Sequence, residues 1–210
     1  MRHKGVVFHA AFNRSGSLLA TASWDHTVRV WNTSTWKEEA SLSDSGGPVS
    51  ISADAKRLAT SGRDGVRIWN TAGWEEARLV PSNGGMFALS PDGNTVATET
   101  TAGIKLIPLQ AGRLEVLLHD STNLFFRPAP STNQLPRGIQ RFRENLQARL
   151  LVFSPDGRMV AAARNTLSHR GVFVLSVWDA ATGREIGSMP ADPEHIEHAG
   201  MITSLTFSPD

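Results

Sequence analysis

A short turn sequence recurs along the chain, and it limits the folds that the chain can adopt. Its clearest copies are Ser-Pro-Asp-Gly at 90–93 and 154–157, and related copies begin at Asn13, Ser52 and Ser208. The copies that begin at 13, 52 and 90 are 39 and 38 residues apart, whereas the later, longer intervals contain insertions. A repeat of roughly 40 residues is typical of arrays in which each unit stacks on the next.

Each repeat shows the same succession of strand patterns. An apolar stretch precedes the turn, and a run of small and β-branched residues follows it, as at 18–23. The next segment alternates apolar and polar residues, as at 27–31, and a weaker fourth segment such as 38–42 closes the unit. Four short strands predict one antiparallel sheet per repeat, so the sequence indicates an all-β fold of stacked sheets.

Tryptophan and histidine residues add a family resemblance. The pairs Trp31-Asn32, Trp69-Asn70 and Trp178-Asp179 end the third segments, and His3 and His198 each precede a repeated turn by ten residues. In these residues the chain resembles the WD40 repeat family over nearly its whole length, and the resemblance implies a β-propeller. The sequences of the turns resemble those of bacterial family members, for which the cytoplasm is the expected compartment.

The resemblance implies four complete blades and the start of a fifth. We expect blades at about 3–43, 44–81, 82–119 and 148–190, and a partial blade at 196–210 that holds only a first strand. An Arg-rich insertion, 120–147, separates the third and fourth blades. Because the sequence stops inside a turn, we expect an open fragment of a seven-bladed propeller, with further blades of the same parent chain as neighbours.

The resemblance also implies a hydrogen-bonded set of His, Thr, Asp and Trp in each blade. Such a set supplies the acceptor that a buried indole N–H needs. Only the first repeat has all four members; the third has Ala102 and Ile107 in the places of the Asp and the Trp. The expected network residues are His3, Thr21, Asp25, Trp31, Thr60, Asp64, Trp69, Trp178 and His198.

Two insertions, at 119–149 and 164–171, belong to connections that lie on the same face of a propeller, because strands alternate in direction within a blade. We expect this face to bind other proteins or peptides, including acidic ones, through arginine and tryptophan side chains. The expected contact residues are Trp24, Arg63, Arg137, Arg141, Arg143, Arg164 and Arg170. Alternatively, residues 138–151 form a short amphipathic helix whose arginines are merely solvated.

Other function classes find little support. A net charge of +1 and arginines without interleaved aromatic residues disfavour nucleic acid, and no apolar run approaches the roughly 18 residues of a membrane-spanning helix. The chain has no cysteine, and Glu194-His195-Ile196-Glu197-His198 lacks the spacing of a zinc protease motif. We therefore expect no catalytic, metal-binding or cofactor-binding residues, and an interaction scaffold or sensing module rather than an enzyme. The alternative is the gating or catalytic propeller of a hydrolase, since Ser-Pro-Asp-Gly turns also occur in such proteins.

Overall fold

The computed structural model describes residues 2–43, 45, 47–82, 85–100, 103–118, 146–166, 173–190 and 204–208. The described residues form four antiparallel sheets of four strands each, and they contain no helix. The first sheet consists of β1 (Val7–Phe12), β2 (Leu18–Ser23), β3 (Thr27–Asn32) and β4 (Lys37–Ser43). The second consists of β5 (Val49–Ile51), β6 (Arg57–Gly62), β7 (Gly65–Asn70) and β8 (Glu75–Pro81). The third consists of β9 (Phe87–Leu89), β10 (Thr95–Thr100), β11 (Gly103–Pro108) and β12 (Val116–Leu117). The fourth consists of β13 (Leu146–Phe153), β14 (Met159–Thr166), β15 (Phe173–Asp179) and β16 (Glu185–Pro190). The prediction of an all-β fold built from four-stranded antiparallel blades is confirmed.

The repeated turn connects the first two strands of every sheet, and its first residue explains why it recurs. In the third sheet the Ser90 hydroxyl donates to Asp92 Oδ1 at 2.5 Å and accepts the backbone N–H of Thr95 at 2.9 Å. Ser154 makes the same pair of hydrogen bonds in the fourth sheet. These serines are buried, so their hydroxyls meet the hydrogen-bonding needs of a tight turn from inside.

Three apolar clusters lie between successive sheets. The cluster between the first and second sheets joins Val28 and Val30 to Leu58, all fully buried. The other two clusters fill the spaces between the second and third sheets and between the third and fourth. Each sheet is apolar on both faces, so every sheet needs a neighbour on each side to bury them.

The first strand of each sheet lies on the inside of the resulting arc. β1 contacts β5, β5 contacts β9, and β9 contacts β13. Side chains connect these strands: the Val49 N–H donates to His9 Nδ1 at 3.4 Å, and the Leu89 N–H donates to Ser50 Oγ at 3.3 Å. The inner strands line a central cavity of about 630 Å³, and burial there lowers the pKa of His9.

One sequence-based alternative needs correction, in the fourth repeat. The alternative of a helix at 138–151 is wrong for its described part, because Leu146 to Leu151 belong to β13 and pair with β14. Residues 204–208, the described part of the expected fifth blade, have no partner strand among the described residues, and the fifth blade stays a prediction. Ser204 and Leu205 line the central cavity.

Candidate functional site

The first sheet holds a connected network around Trp31. The Trp31 indole N–H donates to Thr21 Oγ1 at 2.9 Å, and Thr21 Oγ1 lies 2.8 Å from His3 Nε2. His3 Nδ1 lies 3.2 Å from Asp25 Oδ2. With the proton on Nδ1, the imidazole donates to the carboxylate and accepts from the threonine hydroxyl, so every ring nitrogen has a partner. The structure therefore brings together the four residues expected in this blade.

Asp25 fixes the residues before β1 to the turn between β2 and β3. Burial opposes the ionisation of this carboxyl, but hydrogen bonds from the Thr27 hydroxyl and from the backbone N–H groups of Lys4 and Thr27 outweigh it and hold its pKa well below the usual range. The Lys4 N–H donates to Oδ2 at 2.7 Å and the Thr27 hydroxyl to Oδ1 at 2.6 Å. The anionic carboxylate thus orders the turn that carries Trp24.

The second sheet keeps the Trp69 to Thr60 hydrogen bond, at 2.9 Å, but completes it differently. The hydroxyl of Ser45, fully buried, lies 3.1 Å from Thr60 Oγ1 and takes the place of the histidine. Sequence reasoning missed Ser45. Ser45 lies in the connection between β4 and β5, and a small polar residue at that place belongs to no recognisable motif.

Asp64 does not join the network of the second sheet, contrary to expectation. It is exposed in a two-residue turn between β6 and β7. Thr60 and Trp69 are nine residues apart, whereas Thr21 and Trp31 are ten apart, so the second hairpin is one residue shorter. That deletion moves the carboxylate out of reach of the network, and the spacing was a readable signal.

The third and fourth sheets do not contain the complete His, Thr, Asp and Trp set of the first sheet. Thr98 is fully buried and its hydroxyl has no hydrogen-bond partner among the described residues. In the fourth sheet Trp178 is buried, and the guanidinium carbon of Arg164 lies 5.3 Å from the centre of its ring, a cation–π arrangement.

Arg164 also differs from its expected place in a loop. It lies within β14, paired with Val174 of β15, and is 8% exposed. Strand pairing continues to Thr166, further than the sequence pattern indicated. Arg164 therefore packs inside the fourth blade. The other expected residues Arg137, Arg141, Arg143, Arg170 and His198 lie outside the described residues.

An apolar patch stands on the face that carries the β2–β3 turn. Trp24 is 67% exposed, and its ring lies 6.5 Å from that of Phe8, centre to centre. Val6 and Val7, exposed by 58% and 46%, continue the surface. The backbone N–H of Trp24 donates to the carbonyl of Val6 at 3.0 Å. We call Val6, Val7, Phe8 and Trp24 the Trp24 patch.

Phe8 was missed by the sequence reading because it lies at a β-bulge between Val7 and His9, which the alternation of β1 does not reveal. Arg63 is exposed in the corresponding turn of the second sheet. Trp24 and Arg63 therefore each lie in a turn between the second and third strands of a sheet, which we call a β2–β3-type turn. These turns are on the same face of the arc.

Within the described part of the chain, no group of three or more metal-ligating side chains occurs. The same residues include no helix long and apolar enough to cross a membrane.

Residues 1–32 match the family model described as WD domain, G-beta repeat. Over 30 residues the chain is 60% identical to the periodic tryptophan protein 2 homolog of Schizosaccharomyces pombe, and over 42 residues it is 50% identical to Protein HIR1 of Mycosarcoma maydis. These matches cover 14% and 20% of this chain, and each spans 4% of the relative's length.

The solved β-propeller domain of Cps50 (Swd1) from Myceliophteria thermophila is similar over 90% of this chain and 56% of that chain, with a TM-score of 0.61 and 19% identity. At that identity the similarity shows the fold. Taken with the four sheets, it shows that the chain folds as blades of a β-propeller, and residues 1–32 match a WD40 repeat.

Proposed function

We propose that this chain is a protein-interaction scaffold that binds a peptide segment of its partner on the face carrying the β2–β3-type turns. The observation that carries the proposal is the Trp24 patch, in which an indole exposed by 67% is held beside Phe8. Tryptophan and arginine are the side chains that most often anchor protein interfaces. WD40 propellers in general bind other proteins, which fits this use of the face.

Hydrogen bonds order the backbone around the patch before any partner arrives. Asp25 ties the backbone of Lys4 and Thr27 to the turn, and the Trp24 N–H is bonded to Val6. A preordered backbone loses little conformational entropy on binding, so the area buried at Trp24 contributes more fully to affinity. The network around Trp31 therefore supports the contact surface from below.

The charges beside the patch favour an acidic partner segment. Lys4 is exposed next to the Trp24 turn, and Arg63 is exposed in the turn of the neighbouring blade. Both are cationic at neutral pH, and a segment that crosses from one turn to the other meets both. We propose an acidic segment that places an apolar side chain on Trp24 and a carboxylate near Arg63. Arg137, Arg141, Arg143 and Arg170 remain proposed contacts of the same face.

The His3 network has the order of groups found in a hydrolytic triad, with a hydroxyl, an imidazole and a carboxylate. The Thr21 hydroxyl, however, accepts the indole N–H of Trp31 and lies 3.3 Å from the carbonyl oxygen of Arg29. Neither Thr21 nor His3 lines the central cavity. We therefore assign the set a structural role and the chain a non-catalytic one.

Peptides selected from a random display library on the wild-type chain test the proposal. We expect the selected peptides to be acidic, and Trp24→Ala and Arg63→Glu each to weaken their binding by about tenfold or more. Trp36→Gly is the matched control, because Trp36 is also 67% exposed but lies at the opposite end of β3. Peptides that bind Trp24→Ala as tightly as wild type would overturn the proposal.

A further inference from the structure

An arginine bridges the junction between the second and third sheets. Arg57, the first residue of β6, donates from its guanidinium to the carbonyl oxygen of Gly93 in the next repeated turn, at 2.8 Å. Its side chain lies close over that glycine, because a Cβ at Gly93 would be 3.3 Å from Arg57 Cδ. A second link runs beside it, from the Ala53 N–H to the Pro91 carbonyl at 2.7 Å. A guanidinium and a backbone hydrogen bond thus join these two turns.

Two changes of residue remove both links from the junction between the third and fourth sheets. Thr95 takes the place of the bridging arginine as the first residue of β10, and its side chain ends at the γ atoms, too short to reach the next turn. Pro91 stands where the second sheet has its N–H donor, and proline has no N–H. Gly157, the counterpart of Gly93, is covered less closely: a Cβ there would have Pro91 Cδ as its nearest neighbour, at 3.5 Å.

A cavity of about 460 Å³ lies at this junction, with Thr95 in its lining. Leu106 and Phe153 supply an apolar wall. Arg158 also lines the cavity, but its side chain is 85% exposed, so it extends into water rather than filling the space. Three aspartates complete the charged lining: Asp92, Asp156 and Asp179. The cavity therefore carries more negative than positive charge and is open to a group from outside.

The three carboxylates are ionised at neutral pH. The Ser154 hydroxyl donates to Asp156 and lowers the pKa of its carboxyl. The Thr182 hydroxyl does the same for Asp179. Burial opposes the ionisation of Asp92, but hydrogen bonds within its own turn outweigh burial and lower its pKa. Among the described residues no three acidic side chains converge as a metal ion requires, whereas the spread donors of a guanidinium can serve separated acceptors.

We propose that this cavity, which we call the junction pocket, binds an arginine side chain of a partner protein. The guanidinium donates to the Gly157 carbonyl, as Arg57 donates to that of Gly93 one junction earlier. The carboxylates balance its charge, and its methylenes pack on the apolar wall. The pocket lies among the turns between first and second strands, on the face opposite the Trp24 patch, so this inference does not rest on the proposed function.

Titration of the isotope-labelled chain with N-acetyl-arginine amide, followed by NMR, tests the pocket. We expect saturable shifts of the Thr95 and Gly157 amide signals, and none with N-acetyl-citrulline amide, which has the same shape without the charge. Asp179→Asn should weaken binding about threefold, because it removes one charge but keeps the Oδ1 acceptor of its turn. Citrulline that binds as tightly as arginine would overturn the proposal.

Thr95→Arg supplies the guanidinium from the chain itself and should abolish binding of the arginine probe. Arg57 shows that this strand position accepts an arginine. Asn94→Arg is the matched control: it adds the same charge one residue away, where its counterparts Lys56 and Arg158 are 81% and 85% exposed, so most of the binding should remain. Binding that persists in Thr95→Arg, or that both variants abolish equally, would refute occupation of the pocket. Peptide selection at the Trp24 patch succeeds or fails separately, on the other face.

Discussion

The last position of the repeated turn has a left-handed backbone in every described repeat, and one repeat places an alanine there. Gly16, Gly93 and Gly157 occupy it with φ between 70° and 74°, while Ala55 occupies it in the second repeat with φ of 61°. Left-handed backbone costs an alanine energy that glycine avoids. The second turn keeps its fold because Ser52 and Asp54 bond it internally, as in the other repeats.

Ala55→Gly should therefore stabilise the chain. Relief of the left-handed strain outweighs the greater freedom of glycine in the unfolded chain, and we expect a gain of about 0.5–1 kcal/mol in the free energy of unfolding. Urea denaturation measures it. Gly157→Ala, the reverse change at the equivalent position, should destabilise by about 1 kcal/mol. Equal effects of the same sign from both substitutions would contradict the strain argument.

Asp25 predicts a dependence of stability on pH. Its pKa in the folded chain lies below the ordinary value of 3.8, so the ionised carboxylate stabilises the fold above about pH 4, and this contribution is lost as the pH falls further. Other turn aspartates, such as Asp54 and Asp92, also have lowered pKa values, so the wild-type curve alone does not isolate Asp25.

The comparison with Asp25→Asn isolates it. The variant should be less stable than wild type at pH 7, by about 1–3 kcal/mol for the weakened hydrogen bonds, and the difference should shrink below pH 4. Urea denaturation at a series of pH values gives both curves. Parallel curves down to pH 2 would show that the carboxylate is not held in its ionised form by the fold.

At the scale of the strand, one register position serves different purposes in successive sheets. Thr21 and Thr60 accept the indole N–H of a tryptophan on the next strand, whereas the hydroxyl of Thr98 has no such partner among the described residues and Ile107 stands in the place of the indole. The residue type is constant while its hydrogen bonding changes. Conservation of a threonine pattern along the repeats is therefore not enough to assign a network.

A matched pair of substitutions follows. Thr60→Val should cost about 1–3 kcal/mol, because it leaves the Trp69 indole N–H without its acceptor, while the Ser45 hydroxyl keeps its hydrogen bond to the Ser43 carbonyl. Thr98→Val removes a buried hydroxyl with no described partner, so it should be neutral or stabilise by up to about 1 kcal/mol. Thermal or urea unfolding of both variants measures the difference, and a larger loss from Thr98→Val would refute the assignment.

At the scale of the whole molecule, the four sheets stack through three apolar clusters, and the first strand of each sheet lies on the inside of the arc.

The sequence by itself determined the repeat, the strand patterns and the all-β class. These are local properties: a turn needs its serine or asparagine and its aspartate, and a strand buried on both faces needs its small and β-branched residues. The Trp31 network was also readable, because its spacing follows the family pattern. The face of Trp24 and Arg63 followed from the alternation of strand direction alone.

Only the tertiary structure decided which of those residues meet. Hairpin length excluded Asp64 and the pairing of β14 with β15 buried Arg164, while Ser45 entered the second network from a connection with no motif. Each outcome depends on the placement of one strand or connection against another, and a shift of one residue moves a side chain out of reach or to the other face. The burial of Leu42 and Leu58 likewise arises only once the sheets are stacked, because exposure is a property of neighbours and not of the residue.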